Sequence, residues 1–241
     1  MKLGDPRVQV ESCESTQALL DPSMPEGAIA VTDFQTAGRG RQGRTWEAPP
    51  GTALLFSFLL RPPADRPLPQ LALVAGAAVA DALEHLTGLS VQIKWPNDVM
   101  LRRQKVAGIL AEARDGAVVV GIGVNLNQTV EQLPERAGSL WTTTGLEWSR
   151  DDVLAAVLDA LAVRYDQWLT GGLDSVYDGL GPRDFLRGRR VSVNGTEGTA
   201  ELIDSVVWRR GSTLDAPSSV RVRYGLKSST NRKCHASRAA S

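Results

Sequence analysis

Five short apolar runs, each bounded by glycine, proline or aspartate, set the tightest limit on what this chain can fold into. They lie at 28–34, 53–60, 90–95, 106–113 and 117–124. Their length and their β-branched and aromatic content predict strands, and five strands imply a sheet. Between the second and third runs, 69–86 places apolar residues at Leu71, Ala75, Ala78, Ala82 and Leu86, with Pro69 at a first helical position and Gly88 beyond the end. That spacing predicts a helix packed by one face. Ser149-Arg150-Asp151-Asp152 has the form of a helix N-cap with acid in the first turn. Val153, Val157, Leu158, Leu161, Tyr165 and Trp168 continue at helical spacing to Gly171-Gly172. After a polar stretch, 190–202 alternates and contains Asn194-Gly195, the pair preferred in a two-residue hairpin. The expected fold class is α+β: a mixed β-sheet with packed helices over 1–185, then a small β domain over 186–241.

Several classes of protein are excluded. The longest apolar stretch, 71–80, is ten residues, half of the roughly 20 a membrane span requires. Met1-Lys2-Leu3-Gly4-Asp5-Pro6 lacks the apolar run of a secretion signal, and Cys13 and Cys234 are too far apart to form a disulfide framework, so a reducing cytoplasm is expected. With 42% hydrophobic and 22% charged residues, wholesale disorder, collagen and coiled coil do not fit. The charges balance at 27 basic and 27 acidic residues but are unevenly spread. Residues 205–241 carry eight basic residues against Asp215 alone, a net +7, and eight serines. The change in composition marks a boundary. Such a tail is not expected to offset its ordering entropy of about 1–2 kcal/mol per residue, and protease is expected to cut soon after Asp204.

The richest chemistry lies in Gln35-Thr36-Ala37-Gly38-Arg39-Gly40-Arg41-Gln42-Gly43-Arg44-Thr45-Trp46, directly after a strand. Its glycines let the backbone approach a ligand, and Arg39, Arg41 and Arg44 can converge on a polyanion. A solvated basic turn, or an arginine–glycine segment touching nucleic acid, has the same pattern. Lys94-Trp95-Pro96-Asn97-Asp98 ends one strand and Lys105 to Glu112 occupies the next. Lysine at the mouth of a sheet can neutralise a carboxylate or phosphate oxygen, and Asn97 and Asp98 can hold Mg²⁺ on a nucleotide. Surface charge, a core tryptophan and a plain turn account for the same residues. In Gly121-Ile122-Gly123-Val124-Asn125 the glycines can admit a flat ring beside the backbone, and Asn125 can read a base edge. A glycine-containing edge strand is the plainer alternative. Ser15-Thr16-Gln17 precedes a short helical stretch and offers hydroxyls to a polar ligand, or simply caps a helix. His85 and His235 assemble neither a zinc site nor a Ser/His/Asp triad, and no metal-ligand cluster is expected. Cys13 reads as a small packed residue.

In order, Ser-Thr-Gln, Gln-Thr-Ala-Gly-Arg-Gly-Arg-x-Gly-Arg-x-Trp, Lys-Trp-Pro-Asn-Asp, Lys-x-x-Gly-Ile-Leu-x-Glu and Gly-x-Gly-x-Asn resemble the biotin protein ligases, the biotin-[acetyl-CoA carboxylase] ligases, over about residues 8–204. The resemblance implies a biotin/lipoate ligase-like catalytic domain and an SH3-like C-terminal domain. It also implies a two-step reaction: biotin and MgATP give biotinyl-5′-AMP, and the acyl group passes to a lysine of a biotin carboxyl carrier domain. By the same resemblance Ser15, Thr16, Gln17 and Gln35 surround the biotin head, with Gly108 beside it. Arg39, Gly40 and Arg41 form the loop over biotin and the adenylate. Lys105 holds the reacting carboxylate and phosphoryl oxygen, so Lys105 and Arg41 are the catalytic candidates. Arg44, Lys94 and Asn97 face the ATP phosphates, Mg²⁺ arrives with ATP near Asn97 and Asp98, Trp46 packs beside the adenylate and Asn125 contacts adenine. Asp98 and Glu112 position neighbours.

Two departures from the family pattern matter. Many of its members begin with a winged-helix DNA-binding domain, whereas only residues 1–14 precede Ser15, so no specific DNA binding is expected. Residues 205–241 do not resemble the rest of an SH3-like domain; a frameshifted or substituted ending and a functional basic extension are the two readings. Lipoate ligases and octanoyltransferases share the fold, but the arginine–glycine loop argues for biotin. A nucleic-acid-binding module is the alternative of another class, and the acidic body argues against it. A monomer and a homodimer are both compatible with the sequence.

Overall fold

A computed structural model of the chain describes residues 3–193, 196–203 and 220–223. Its centre is a seven-stranded sheet built from β1 (Arg7–Cys13), β2 (Ile29–Gln35), β3 (Ala53–Leu60), β4 (Val91–Lys94), β5 (Asp98–Leu101), β6 (Gln104–Arg114) and β7 (Ala117–Asn125). The strand order is β1-β2-β3-β7-β6-β5-β4. Only β1 and β2 pair in parallel; the other neighbours are antiparallel. The five apolar runs became β2, β3, β4, β6 and β7, while β1 and β5 were not foreseen.

Strand alternation divides the sheet into two faces. Leu54, Phe56, Phe58 and Leu60 of β3 and Val118, Val120, Ile122 and Val124 of β7 enter the main core. That core is closed by α1 (Leu71–Thr87) and α3 (Arg150–Gly171); a one-turn helix, α2 (Leu140–Thr144), lies between them in sequence. Ser149 caps α3, accepting from Asp152 N, and α1 ends at Gly88 in the left-handed conformation. The one-face expectation for α1 is corrected. Consecutive residues from Val74 to Ala80 are all buried, because alanines and Gly76 are small enough for the helix to be enclosed by β4, β6 and α3 together.

The charged groups among these helices are paired. Asp81 of α1 accepts from Arg164 of α3 (2.6 Å) and from Arg183 (2.7 Å), and Arg183 also pairs with Glu84. The segment holding Arg183 runs parallel beside β4, with Ile93 N donating to Arg183 O and Phe185 N to Ile93 O. It leads into a three-stranded antiparallel sheet of β8 (Arg190–Val193), β9 (Thr196–Ile203) and β10 (Val220–Arg223). Asn194-Gly195 lies outside the described residues, between strands that pair as Val193 opposite Thr196. Apart from β10, the tail beyond Ile203 also lies outside them.

Candidate active site

The face turned away from the helices carries two small apolar clusters, one around Leu20, Leu59 and Val119 and the other around Ala48, Ala53 and Leu55. Between them the sheet presents polar side chains and glycines in two cross-strand rows. In the first, Ser57 of β3 lies opposite Gly121 of β7, which lies opposite Leu110 of β6. In the second, Leu55, Gly123, Gly108, Asp98 and Lys94 stand side by side across β3, β7, β6, β5 and β4. The rows are two residues apart along β7, about 6.8 Å.

The first row carries a neutral polar cluster. Thr16 Oγ1 lies 2.7 Å from Ser57 Oγ, and Gln35 Oε1 accepts from the Thr16 backbone N at 2.8 Å. Gln17 Nε2 donates to Leu110 O at 2.9 Å, and its Oε1 accepts from Arg39 Nη2 at 3.0 Å. Gly121 makes room for Gln17, since a Cβ there would stand 3.0 Å from Gln17 Nε2. The short helical stretch is a 3-10 turn, Thr16–Leu19, and Ser15 makes no side-chain capping bond. Ser15 is buried in the cavity wall instead. Capping therefore does not explain these residues.

The second row carries the lysine and an indole. Trp46 lies flat over the strands: a Cβ would meet its ring at 2.8 Å from Gly108 and 2.4 Å from Gly123. The flat ring admitted by these glycines is thus the chain's own tryptophan. Lys105 Nζ is 2.7 Å from Asp98 Oδ1 and 5.4 Å from the Trp46 ring centroid. Its presence on this face depends on an irregularity. Val99 pairs with Ala107 but Met100 pairs with Lys105, so β6 carries one extra residue. Val106 and Ala107 consequently both enter the core, and Lys105 emerges beside Gly108, whose Cβ would lie 3.3 Å from Nζ. Re-aiming a side chain is a common use of a β-bulge.

The arginine–glycine loop closes over this floor as a small hairpin. Arg39 pairs with Thr45, Gly40 N donates to Arg44 O at 2.7 Å and Trp46 N to Gly38 O at 2.9 Å. Gly38 is required because a Cβ would fall 2.2 Å from Trp46 O. A cavity of about 460 Å³ results, and Arg41, Arg44, Lys94 and Asn97 join the two rows in lining it.

Most of the expected residues thus come together: Ser15, Thr16, Gln17, Gln35, Arg39, Gly40, Arg41, Arg44, Trp46, Lys94, Asn97, Lys105 and Gly108 all border one cavity. Asn125, on the same face of β7 two residues beyond Gly123, is buried and does not line this cavity; its Nδ2 donates to Gly138 O and its Oδ1 accepts from Gln128 Nε2. Its amide is committed to the loop that precedes α2. Asn97 keeps a place on the wall, with its Nδ2 bonded to Ile109 O at 2.9 Å. Asp98 Oδ1 pairs with Lys105, and among the described residues no three His, Cys, Asp or Glu side chains converge. Glu112 pairs with Arg39 and Arg114. Burial pushes the Cys13 thiol up, partly offset by a hydrogen bond from Thr32, in keeping with a packed rather than a reactive cysteine. Sequence reasoning missed Ser57 and Arg114. Ser57 had a signal, as the sole polar residue in A-L-L-F-S-F-L-L; Arg114, at the end of a strand, had none.

Residues 10–128 match the biotin/lipoate A/B protein ligase family. The bifunctional ligase/repressor BirA of Bacillus spizizenii is 35% identical over 190 residues, 72% of this chain and 58% of that protein. The biotin--[acetyl-CoA-carboxylase] ligase of Mycobacterium tuberculosis is 36% identical over 149 residues, 59% of this chain and 56% of that one. The chain therefore spans less than two thirds of the length of these curated relatives. Among solved structures, the Aquifex aeolicus biotin protein ligase in complex with biotin and ATP is 34% identical, with a TM-score of 0.74 over 82% of this chain and 86% of that one. The R40G mutant of the same protein with biotin gives 32% identity and a TM-score of 0.74 over 87% of its chain. The two rows of the sheet, the basic loop above them and this likeness over nearly the whole Aquifex chain lead to one conclusion: the chain belongs to the biotin protein ligase family.

Proposed function

We propose that this chain joins biotin to ATP, forming biotinyl-5′-AMP and pyrophosphate, and passes the biotinyl group to one lysine of a biotin carboxyl carrier domain. The observation that carries the proposal is the place of Lys105, set between an uncharged hydrogen-bonding row and a cationic loop. The row of Ser15, Thr16, Gln17 and Gln35 offers donors and acceptors without net charge, which suits a urea-like ring. Gly108 lets the Trp46 ring and Lys105 Nζ settle close over the floor, where the valerate carboxylate is to arrive.

The first step brings a carboxylate against a triphosphate, and the two repel. Arg41, Arg44 and Lys94 supply opposing charge, and Lys105 can hold a carboxylate oxygen and a phosphoryl oxygen together. The carboxylate oxygen bonds to the α-phosphorus as pyrophosphate departs, and Lys105 stabilises the charge that develops between them. Asp98 keeps the ammonium oriented before substrate arrives. MgATP enters as substrate, with Asn97 at its phosphates and the Trp46 face beside the nucleotide. In the second step the neutral amine of the acceptor lysine attacks the mixed anhydride, an amide forms and AMP leaves. Covering by the basic loop keeps water from taking the acyl group first.

In this reading residues 1–185 are the catalytic domain and 186–241 a small C-terminal β domain. The protein works in the cytoplasm as a monomer or homodimer. Among the described residues no helix is long and apolar enough to cross a membrane. The test is incubation with biotin, MgATP and a biotin carrier domain, with lipoate and octanoyl substrates in parallel, and mass spectrometry of the acceptor lysine. Biotinylation is expected; modification by lipoate or octanoate alone would replace the proposal.

A further inference from the structure

The adenylation chemistry leaves Glu112 and Arg114 unused, yet both lie on the site face of β6 and bond to residues of the cavity. Glu112 Oε2 accepts from Arg39 Nη2 at 3.1 Å and from Arg114 Nη2 at 2.9 Å. Arg39 Nη2 also donates to Gln17 Oε1 at 3.0 Å, and Arg114 Nη1 donates to the Gln17 backbone O at 2.7 Å. The four residues close a ring, Glu112–Arg39–Gln17–Arg114, in which Glu112 is the sole anion and stands between two guanidiniums.

The partners differ in how firmly they are held. Gln17 is almost fully buried and fixed by Leu110 O, and Arg114 sits on a paired strand. Arg39 belongs to the loop, where its backbone pairs with Thr45 as the stem of the 39–45 hairpin. Removing the carboxylate would leave two like charges facing each other at Gln17, and the loop residue is the one free to withdraw. We propose that Glu112 is a positioning residue which, with Arg114, latches the stem of the arginine–glycine loop onto Gln17 and so sets how long the loop stays over its ligand. The identity of that ligand as biotin rests on the function proposed above; the latch itself does not.

The experiment has two arms. In the ligand-free protein, amide exchange is followed at Gly40, Arg44 and Trp46, whose N–H groups hold the hairpin closed. Exchange at these sites is expected to quicken by about fivefold or more in Glu112→Ala, with the strands of the sheet unchanged. Equal exchange in parent and variant overturns the latch whether or not the protein uses biotin. In the second arm, steady-state adenylation is expected to show a biotin KM raised about fivefold with a smaller change in kcat. A double-mutant cycle of Arg39→Ala and Glu112→Ala is expected to be non-additive. Additive effects, or a loss confined to kcat, overturn the proposal. If Glu112→Ala does not fold, Glu112→Gln keeps the side-chain bulk, removes the charge and carries the same measurements. A parent that makes no biotinyl-AMP refutes the functional reading, and the exchange arm still decides the latch.

Discussion

Trp46 lies on Gly123 so closely that a Cβ on the glycine would stand 2.4 Å from the indole Cε2. The contact is with the fused edge of a ring held at a loop terminus, not with the free end of a flexible chain, so it cannot yield by a rotamer change alone. Gly123→Ala is expected to cost about 1–3 kcal/mol through overpacking and to slow biotinyl-AMP synthesis by lifting Trp46 off the floor. Urea unfolding and pyrophosphate release together check this; an alanine variant with parental stability and rate would show that the indole moves freely.

Lys105 touches the reacting groups in the proposed chemistry, and its ammonium is already oriented by Asp98 at 2.7 Å. Lys105→Ala is expected to slow adenylation about a hundredfold, roughly 3 kcal/mol of lost stabilisation of developing charge. Single-turnover formation of biotinyl-AMP is the measurement. An unchanged rate would remove Lys105 from the reaction.

Arg41 starts the turn at the tip of the loop, Arg41–Gly43, and lines the cavity from above. It is expected to retain the adenylate more than to drive its formation. Arg41→Gly should release biotinyl-AMP and label lysines without selectivity, read as biotin on bystander proteins. Parental retention and acceptor choice in this variant would give the loop another role.

Asp81 is expected to contribute to the protein's response to acid. Burial raises its carboxyl, but hydrogen bonds and charge from Arg164 and Arg183 outweigh this and hold it below the usual range. A pKa depressed by folding adds stability that is present above the unfolded value of about 3.9 and lost as pH falls through the folded value. Asp81→Asn is therefore expected to be less stable than the parent by roughly 2–3 kcal/mol at pH 7, with the gap closing below about pH 4. A gap of constant size from pH 7 to pH 3, followed by denaturant unfolding, would show that the network adds nothing through charge.

The strands that escaped sequence reasoning did so for physical reasons. In β1, R-V-Q-V-E-S-C, the strand lies at the sheet edge and none of its residues is fully buried, so its composition is that of a polar segment. β5 is four residues long and turns into β6 through Arg102 and Arg103, both with positive φ, 46° and 68°. Asn and Gly are the usual choices there, and two arginines carry no turn signal. The site was legible where glycines and charges sit at fixed intervals, as at 35–46 and 105–112. The bonds that Asn125 makes were not legible, because the partners of a strand-end amide depend on what the neighbouring loop offers, here Gly138 O and Gln128.

In an unbroken strand, residues an even number of steps apart share a face and those at odd intervals do not. Lys105 and Gly108 are three steps apart and nevertheless meet over the same floor, because Val106 and Ala107 turn together into the core. Their identities matter to the chemistry only as apolar bulk, but their number is decisive. Keep both while ironing the strand straight, and the ammonium would swing toward Val99 and Leu101, where it would find no acceptor. An odd interval between two residues that must work side by side is therefore an instruction for irregular backbone, spelled here by two aliphatic residues that no inventory of reactive groups would pick out.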